Sequence, residues 1–197
     1  MKKLLIILIY LVGICAGGWA QKASGVVEGA LVGRVVAKAL AKEMQITRDE
    51  KDFRILYFLG KTYKMHLGYT NIMNYFTDDG DGIAISKKET TLQEAVNHSM
   101  EAFEHEGYTV KSLDGRNPSD IIYSLYKQKG DVLRYEVVRL FPIGNNQVLQ
   151  VSVGKKITQK DPLPLMRQVM QGVRATPQAV LNAGFPKSNC EFGDDCY

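Results

Sequence analysis

The residues best suited to metal chemistry lie on one predicted helix. Two of the three histidines, His98 and His105, alternate with Glu94 and Glu101 at spacings of four, three and four residues. On a helix these spacings place all four side chains in one stripe, where imidazole and carboxylate groups could bind a metal ion. The stripe lies opposite the apolar side of the helix, so pairing between Glu and His across helix turns is the preferred interpretation. We therefore predict no metal site and keep these four residues as the candidates to check.

A second acidic group, Asp78-Asp79-Gly80-Asp81-Gly82, resembles a calcium-binding loop at first sight. When it is aligned on the EF-hand pattern with Gly82 as the central glycine, Thr77 stands where the first Asp belongs. Lys88 stands where the bidentate Glu belongs, so the pattern fails at both ends. A hairpin turn is the preferred interpretation, and a calcium contact of another kind is the alternative.

The sequence contains no catalytic or cofactor motif that we can identify. It has no Gly-x-Ser-x-Gly, no His-Glu-x-x-His and no glycine-rich phosphate loop after a strand. Eight tyrosines fall in predicted strands, and they would form a binding surface if several of them met Lys64, His66, Arg134 or Glu136 on the polar side of a sheet. We predict no catalytic residue and no cofactor. A hydrolase that joins His66 to a carboxylate and a serine is an alternative.

The first twenty residues have the layout of a secretory signal peptide. Lys2 and Lys3 precede an apolar run, Leu4 to Val12, and small residues then lead to Ala20. The apolar run is much shorter than the roughly 20 residues of a membrane-spanning helix. We predict cleavage after Ala20 and export to the periplasm, the cell envelope or the medium, with a retained anchor as the alternative.

Export bears on the cysteines. Removal of the leader takes Cys15 away and leaves Cys190 and Cys196, six residues apart near the end of the chain. Two cysteines in an exported protein indicate a disulfide, and two free thiols are the alternative. We predict an irregular C-terminal tail, 176–197, that carries this disulfide.

Small residues recur at every fourth position in the segment 21–50, which we predict to be an amphipathic helix. We expect another surface to pack closely against its flat face, because each glycine in a water-exposed helix lowers helix stability by about 1 kcal/mol relative to alanine. This face could pack on the domain's own sheet, on a protein partner or a second copy of the chain, or on a membrane surface. A formal net charge of +4, which falls further with loss of the leader, gives no reason to expect a nucleic-acid partner. The residues of the stripe are Gly25, Gly29, Gly33, Ala37 and Ala41.

The remaining segment, 51–175, predicts an α+β domain. Several runs alternate apolar and polar residues, as in the strand that contains Tyr63 and Met65, which is typical of antiparallel strands with one wetter face. Thr91 and Glu94 form a capping box at the start of a helix. We predict an antiparallel sheet of about six or seven strands with helices packed on one face.

The order of these elements resembles the PsbP-like fold, which includes bacterial DcrB-like envelope proteins. The resemblance implies a non-enzymatic accessory or binding domain, with no shared catalytic residues to transfer. We therefore expect an exported accessory or binding protein, with an exported inhibitor or immunity-type interaction protein as the alternative. The resemblance spans about Lys61 to Arg174 and rests on Ile83-Ala84-Ile85 leading into Thr91-Leu92-Gln93-Glu94, then Gly107-Tyr108, then strands through Tyr135 and Val151.

Overall fold

A computed structural model describes residues 42–48, 54–130, 132–157, 163–182 and 185. These residues form an antiparallel sheet with helices on it, which confirms the α+β class. The helices are α1 (Leu92–His105), α2 (Leu163–Ala175) and α3 (Gln178–Asn182). The strands are β1 (Gln45–Arg48), β2 (Arg54–Phe58), β3 (Lys61–Gly68), β4 (Ile72–Phe76), β5 (Gly82–Glu89), β6 (Thr109–Asn117), β7 (Asp120–Lys129), β8 (Val132–Gly144) and β9 (Gln147–Ile157).

The sheet consists of two meanders that join in its middle. The strand order is β1-β2-β3-β4-β5-β9-β8-β7-β6, and α1 leads from the first meander, β1 to β5, to the second, β6 to β9. The join is the antiparallel pair β5–β9, in which Ile83 lies opposite Val153 and Ile85 opposite Val151. The sheet has nine strands, so the prediction of six or seven was too small.

The helices lie on both faces of the sheet, which corrects the prediction of one covered face. Val137 and Val138 are neighbours in β8, and neighbouring residues of a strand point to opposite faces. Val137 belongs to the larger core cluster, which includes Val169 of α2 and Leu181 of α3. Val138 belongs to the smaller cluster, which includes Val96 of α1. The central strands therefore have buried apolar side chains on both faces. For this reason the alternation of their side chains does not indicate which helix covers which face.

The local signals that predict α1 are confirmed. The Thr91 side chain accepts a hydrogen bond from the Glu94 amide, and the Glu94 carboxylate accepts one from the Thr91 amide. At the other end Gly107 has a φ of 83°, and its amide donates to the Glu104 carbonyl. This left-handed conformation favours glycine and ends the helix there.

Helix α2 is fixed to the sheet by a buried arginine of β8. Arg139 donates from Nε and Nη2 to the two carboxylate oxygens of Asp120, each at 2.8 Å. Its Nη1 atom donates to the carbonyls of Val173 and Thr176, also at 2.8 Å, and so caps the end of α2. The same end is packed tightly, because a Cβ atom on Gly172 would lie 2.6 Å from the Lys42 carbonyl oxygen.

Two predicted segments have regular structure that the sequence did not reveal. Within the segment 21–50, predicted as a helix, Gln45–Arg48 is strand β1. Within the tail 176–197, predicted as irregular, Gln178–Asn182 is helix α3, and Leu181 and Phe185 are buried.

Three other predictions concern residues outside the described part of the chain. They are the leader, the small-residue stripe from Gly25 to Ala41, and the cysteines 190 and 196. Among the described helices, none is long and apolar enough to cross a membrane.

Candidate functional site

A shallow cleft lies at the join between the two meanders, on the face that carries α1. It has a volume of about 180 Å³, and we call it the central cleft. Its floor is made of small residues from β5 and β9, with larger side chains from β4 and β8 on either side. The residues that define it are Phe76, Gly82, Ala84, Glu136, Ser152 and Gly154.

The strand register explains how residues distant in sequence meet there. Phe76 of β4 lies opposite Gly82 of β5, Gly82 lies opposite Gly154 of β9, and Gly154 lies opposite Glu136 of β8. These four residues therefore form one row across four strands, with an aromatic ring and a carboxyl group separated by two glycines. Such a row exposes backbone between its two side chains.

The two glycines leave space for the side chains on either side of them. A Cβ atom on Gly82 would lie 3.0 Å from Phe76 Cε1, and a Cβ atom on Gly154 would lie 2.5 Å from Glu136 Oε1. The ring and the carboxyl group therefore lie over the glycines rather than standing away from the sheet. Phe76 nevertheless keeps 43 % of its surface exposed, which makes it the apolar contact that the cleft offers to a ligand.

Glu136 is held in an environment that favours its neutral form. Burial, and secondarily the charge of Glu106, raises the pKa of Glu136 to about 7, and Arg134 opposes this shift. The cleft thus contains a carboxyl group that is largely protonated in mildly acidic solution. Near neutral pH this group can either donate or accept a hydrogen bond.

A second cavity, the basic cavity, continues from the central cleft towards the end of α1. It has a volume of about 540 Å³ and shares Arg134 and Lys156 with the central cleft. Lys127 lies opposite Arg134, and Arg134 lies opposite Lys156, so three cations form a row across β7, β8 and β9. Its lining consists of Glu106, Tyr108, Lys127, Lys129, Val132, Arg134 and Lys156.

Residues 78–81 of the acidic segment form the hairpin turn that joins β4 to β5, as predicted, while Gly82 is the first residue of β5. Two of the segment's three carboxylates bind lysines: Lys61 Nζ lies 2.6 Å from Asp79 and 2.7 Å from Asp81. Lys155 Nζ lies 2.8 Å from Asp81, and both side chains are almost completely buried. These ion pairs give the aspartates a structural role.

Electrostatics favour the charged form of Asp81 despite its burial. Burial alone would raise the pKa of Asp81, but the hydrogen bonds from Lys155 and Lys61 outweigh it and hold this pKa below its usual value. The Lys155 ammonium group also donates to the Tyr63 hydroxyl group. Lys155 is therefore paired with a carboxylate in the core beneath the cleft, as a buried charge requires.

The four residues considered as metal ligands are spread along the exposed surface of α1. Glu94 is used in the capping box, and His98, Glu101 and His105 are exposed. In the part of the chain that the structure describes, no group of three or more His, Cys, Asp or Glu residues is placed to hold a metal ion.

The arrangement sought for a hydrolase is incomplete in the central cleft. Ser152 and Glu136 line it, but His66 does not; the His66 ring instead meets the edge of Phe76, with centroids 5.3 Å apart. The Ser152 hydroxyl accepts a hydrogen bond from Gln150 at 3.1 Å. The residues that sequence reasoning missed are Phe76, Gly82 and Gly154. An isolated glycine inside an alternating strand, as at Gly154, is a signal of close approach that could have indicated them.

Comparison with known proteins gives no relative from which a role could be transferred. No protein-family model matches the sequence, and a search of curated proteins finds no match.

Proposed function

We propose that this protein is an exported, non-enzymatic binding protein that holds the apolar part of a small ligand in the central cleft. The observation that carries this proposal is the row Phe76-Gly82-Gly154-Glu136. A half-exposed aromatic ring beside bare backbone gives a flat group a surface to stack on, and the neutral or charged carboxyl group gives it a polar partner.

The geometry supports binding over the two alternatives. A hydrolase needs a base within hydrogen-bond reach of its nucleophile, and His66 contacts Phe76 instead of lining the cleft with Ser152. An inhibitor or immunity protein would need an exposed patch rather than a concave site. The concave, small-residue floor therefore favours a small ligand.

Export is supported by the N-terminal layout and by the resemblance to envelope proteins in the order of the elements. The basic start, short apolar run and small-residue exit are typical of a cleaved leader. The exported form should begin at Gln21, which N-terminal sequencing of protein from the cell exterior or envelope will check.

The binding proposal is tested with N-phenyl-1-naphthylamine, an uncharged dye that fluoresces in apolar surroundings. We expect saturable binding to the folded protein and a loss of affinity of about tenfold in Phe76→Ala, because an aromatic contact is worth roughly 0.5–1.5 kcal/mol beyond the area it buries. The matched control is Leu163→Ala, which removes another exposed apolar side chain, in α2 on the other face of the sheet. Equal binding by both variants, or no binding by the wild type, would contradict the proposal.

A further inference from the structure

The basic cavity adds a property that an apolar cleft alone does not have, namely an excess of positive charge. Four of its lining residues are cationic and one, Glu106, is acidic. Resting on the proposed function, we infer that the ligand is an organic anion, with its apolar part in the central cleft and its negative group in the basic cavity against Arg134 and Lys156.

The row of cations is unfavourable for the protein by itself. Like charges directly opposite each other on neighbouring strands destabilise a sheet, and Lys127, Arg134 and Lys156 are such neighbours. Lys127 is partly compensated, because its ammonium group donates to the Glu106 carbonyl and lies 5.4 Å from the centre of the Tyr108 ring. The charge of Arg134 acts on the nearby Tyr108 and Glu136 side chains, but within the described residues neither Arg134 nor Lys156 has a carboxylate at salt-bridge distance. A bound anion would supply the missing negative charge.

The two cavities are placed so that one ligand can reach both. Arg134 and Lys156 line the central cleft as well as the basic cavity. Each lies two residues along its strand from a residue of the glycine row, Arg134 from Glu136 and Lys156 from Gly154. Two residues of a strand span about 7 Å, and neighbouring strands lie about 4.8 Å apart. The Phe76 ring lies over Gly82 of β5, next to β9, so the long Lys156 and Arg134 side chains can reach an anionic group carried beside a ring that stacks on Phe76.

Arginine and lysine together suit an oxyanion. The guanidinium group can donate two parallel hydrogen bonds to a carboxylate, sulfonate or phosphate, and the ammonium group adds a point charge. Both side chains are exposed at the mouth of the site, so their charge can also attract an anion before contact.

The test compares two dyes that share one ring system. 8-Anilinonaphthalene-1-sulfonate differs from N-phenyl-1-naphthylamine by its sulfonate group, so their affinity ratio measures the contribution of the negative charge. At pH 6 we expect the sulfonate to bind about tenfold more tightly, since hydrogen bonds to charged groups contribute roughly 1.5–3 kcal/mol. The double variant Arg134→Gln/Lys156→Gln should lose this preference, so that the ratio of the two affinities falls to about one.

The matched control is Lys111→Gln/Arg167→Gln, which makes the same change in net charge at exposed residues away from both cavities. It should keep the wild-type preference. A cooperative urea unfolding transition shows that the double variant is folded. Equal affinity of the wild type for both dyes, or a preference that survives in the double variant, overturns the anion inference and leaves the proposed function standing. If neither dye binds to the wild type, both the anion inference and the proposed function are overturned.

Discussion

Glu136 links the central cleft to the stability of the whole protein. Burial, with help from Glu106 and against Arg134, raises its pKa from 4.5 to about 7. A carboxyl group whose pKa is raised on folding binds its proton more tightly in the native state, so its contribution to stability is present at low pH. That contribution is lost as the pH rises from about 4.5 to 7.

The variant Glu136→Gln removes this ionisation while keeping the shape of the side chain. Between about pH 5 and pH 8 the wild type should lose on the order of 2 kcal/mol more of its free energy of unfolding than the variant does. Urea unfolding at the two pH values measures the difference. As a control, Glu101→Gln removes an exposed carboxylate from α1 and should keep the wild-type pH dependence. The same pH dependence in Glu136→Gln would show that Glu136 is not the group responsible.

Single residues also show what a sequence can and cannot reveal about a site. The sequence predicts that Arg134 and Glu136 are polar residues of one strand, and their shared face follows from alternation alone. Their meeting with Phe76 could not be predicted, because it depends on the register of strands from different parts of the chain. The sequence predicts Gly82 to be part of a turn, but in the structure it begins β5 and leaves room for the Phe76 ring.

At the scale of elements, Gly172 decides how closely α2 approaches the sheet. A Cβ atom there would lie 2.6 Å from both the Lys42 carbonyl oxygen and Phe58 Cε2. The backbone atom cannot move aside cheaply, so overpacking should outweigh the better helix propensity of alanine.

We therefore expect Gly172→Ala to lower the free energy of unfolding by about 2 kcal/mol, in spite of a propensity gain of about 1 kcal/mol. Chemical denaturation measures the change. Gln171→Ala, at the exposed neighbouring position, is the control and should be close to neutral. A more stable Gly172→Ala protein would mean that the close approach is absent in solution.

The elements differ in how far local sequence determines them. Helix α1 was predictable at both ends, because Thr91, Glu94 and Gly107 make their bonds within a few residues. Strand β1 was not, since Gln45–Arg48 has little apolar pattern and exists through its pairing with β2. The covered face of the sheet was also not predictable, because β8 offers apolar side chains on both sides.

At the scale of the whole molecule, export and the terminal disulfide belong together. If the chain enters an oxidising compartment, Cys190 and Cys196 should be joined, and the leader with Cys15 should be absent. Thiol labelling of the unreduced, exported protein should then find no free cysteine, and labelling after reduction should find two. Two labelled thiols before reduction would rule out the disulfide.

The join between β5 and β9 has a consequence for the order in which the molecule assembles. Each meander is continuous in sequence and can pair locally, whereas β5 and β9 are separated by the whole of α1 and three strands. Contacts of such long range form late when chain-closure entropy sets the order of folding. Phe76 and Gly82 come from the first meander, and Glu136 and Gly154 come from the second. The central cleft is therefore incomplete in either half alone, and we expect a compound bound across the β5–β9 pair to stabilise the contact that forms last.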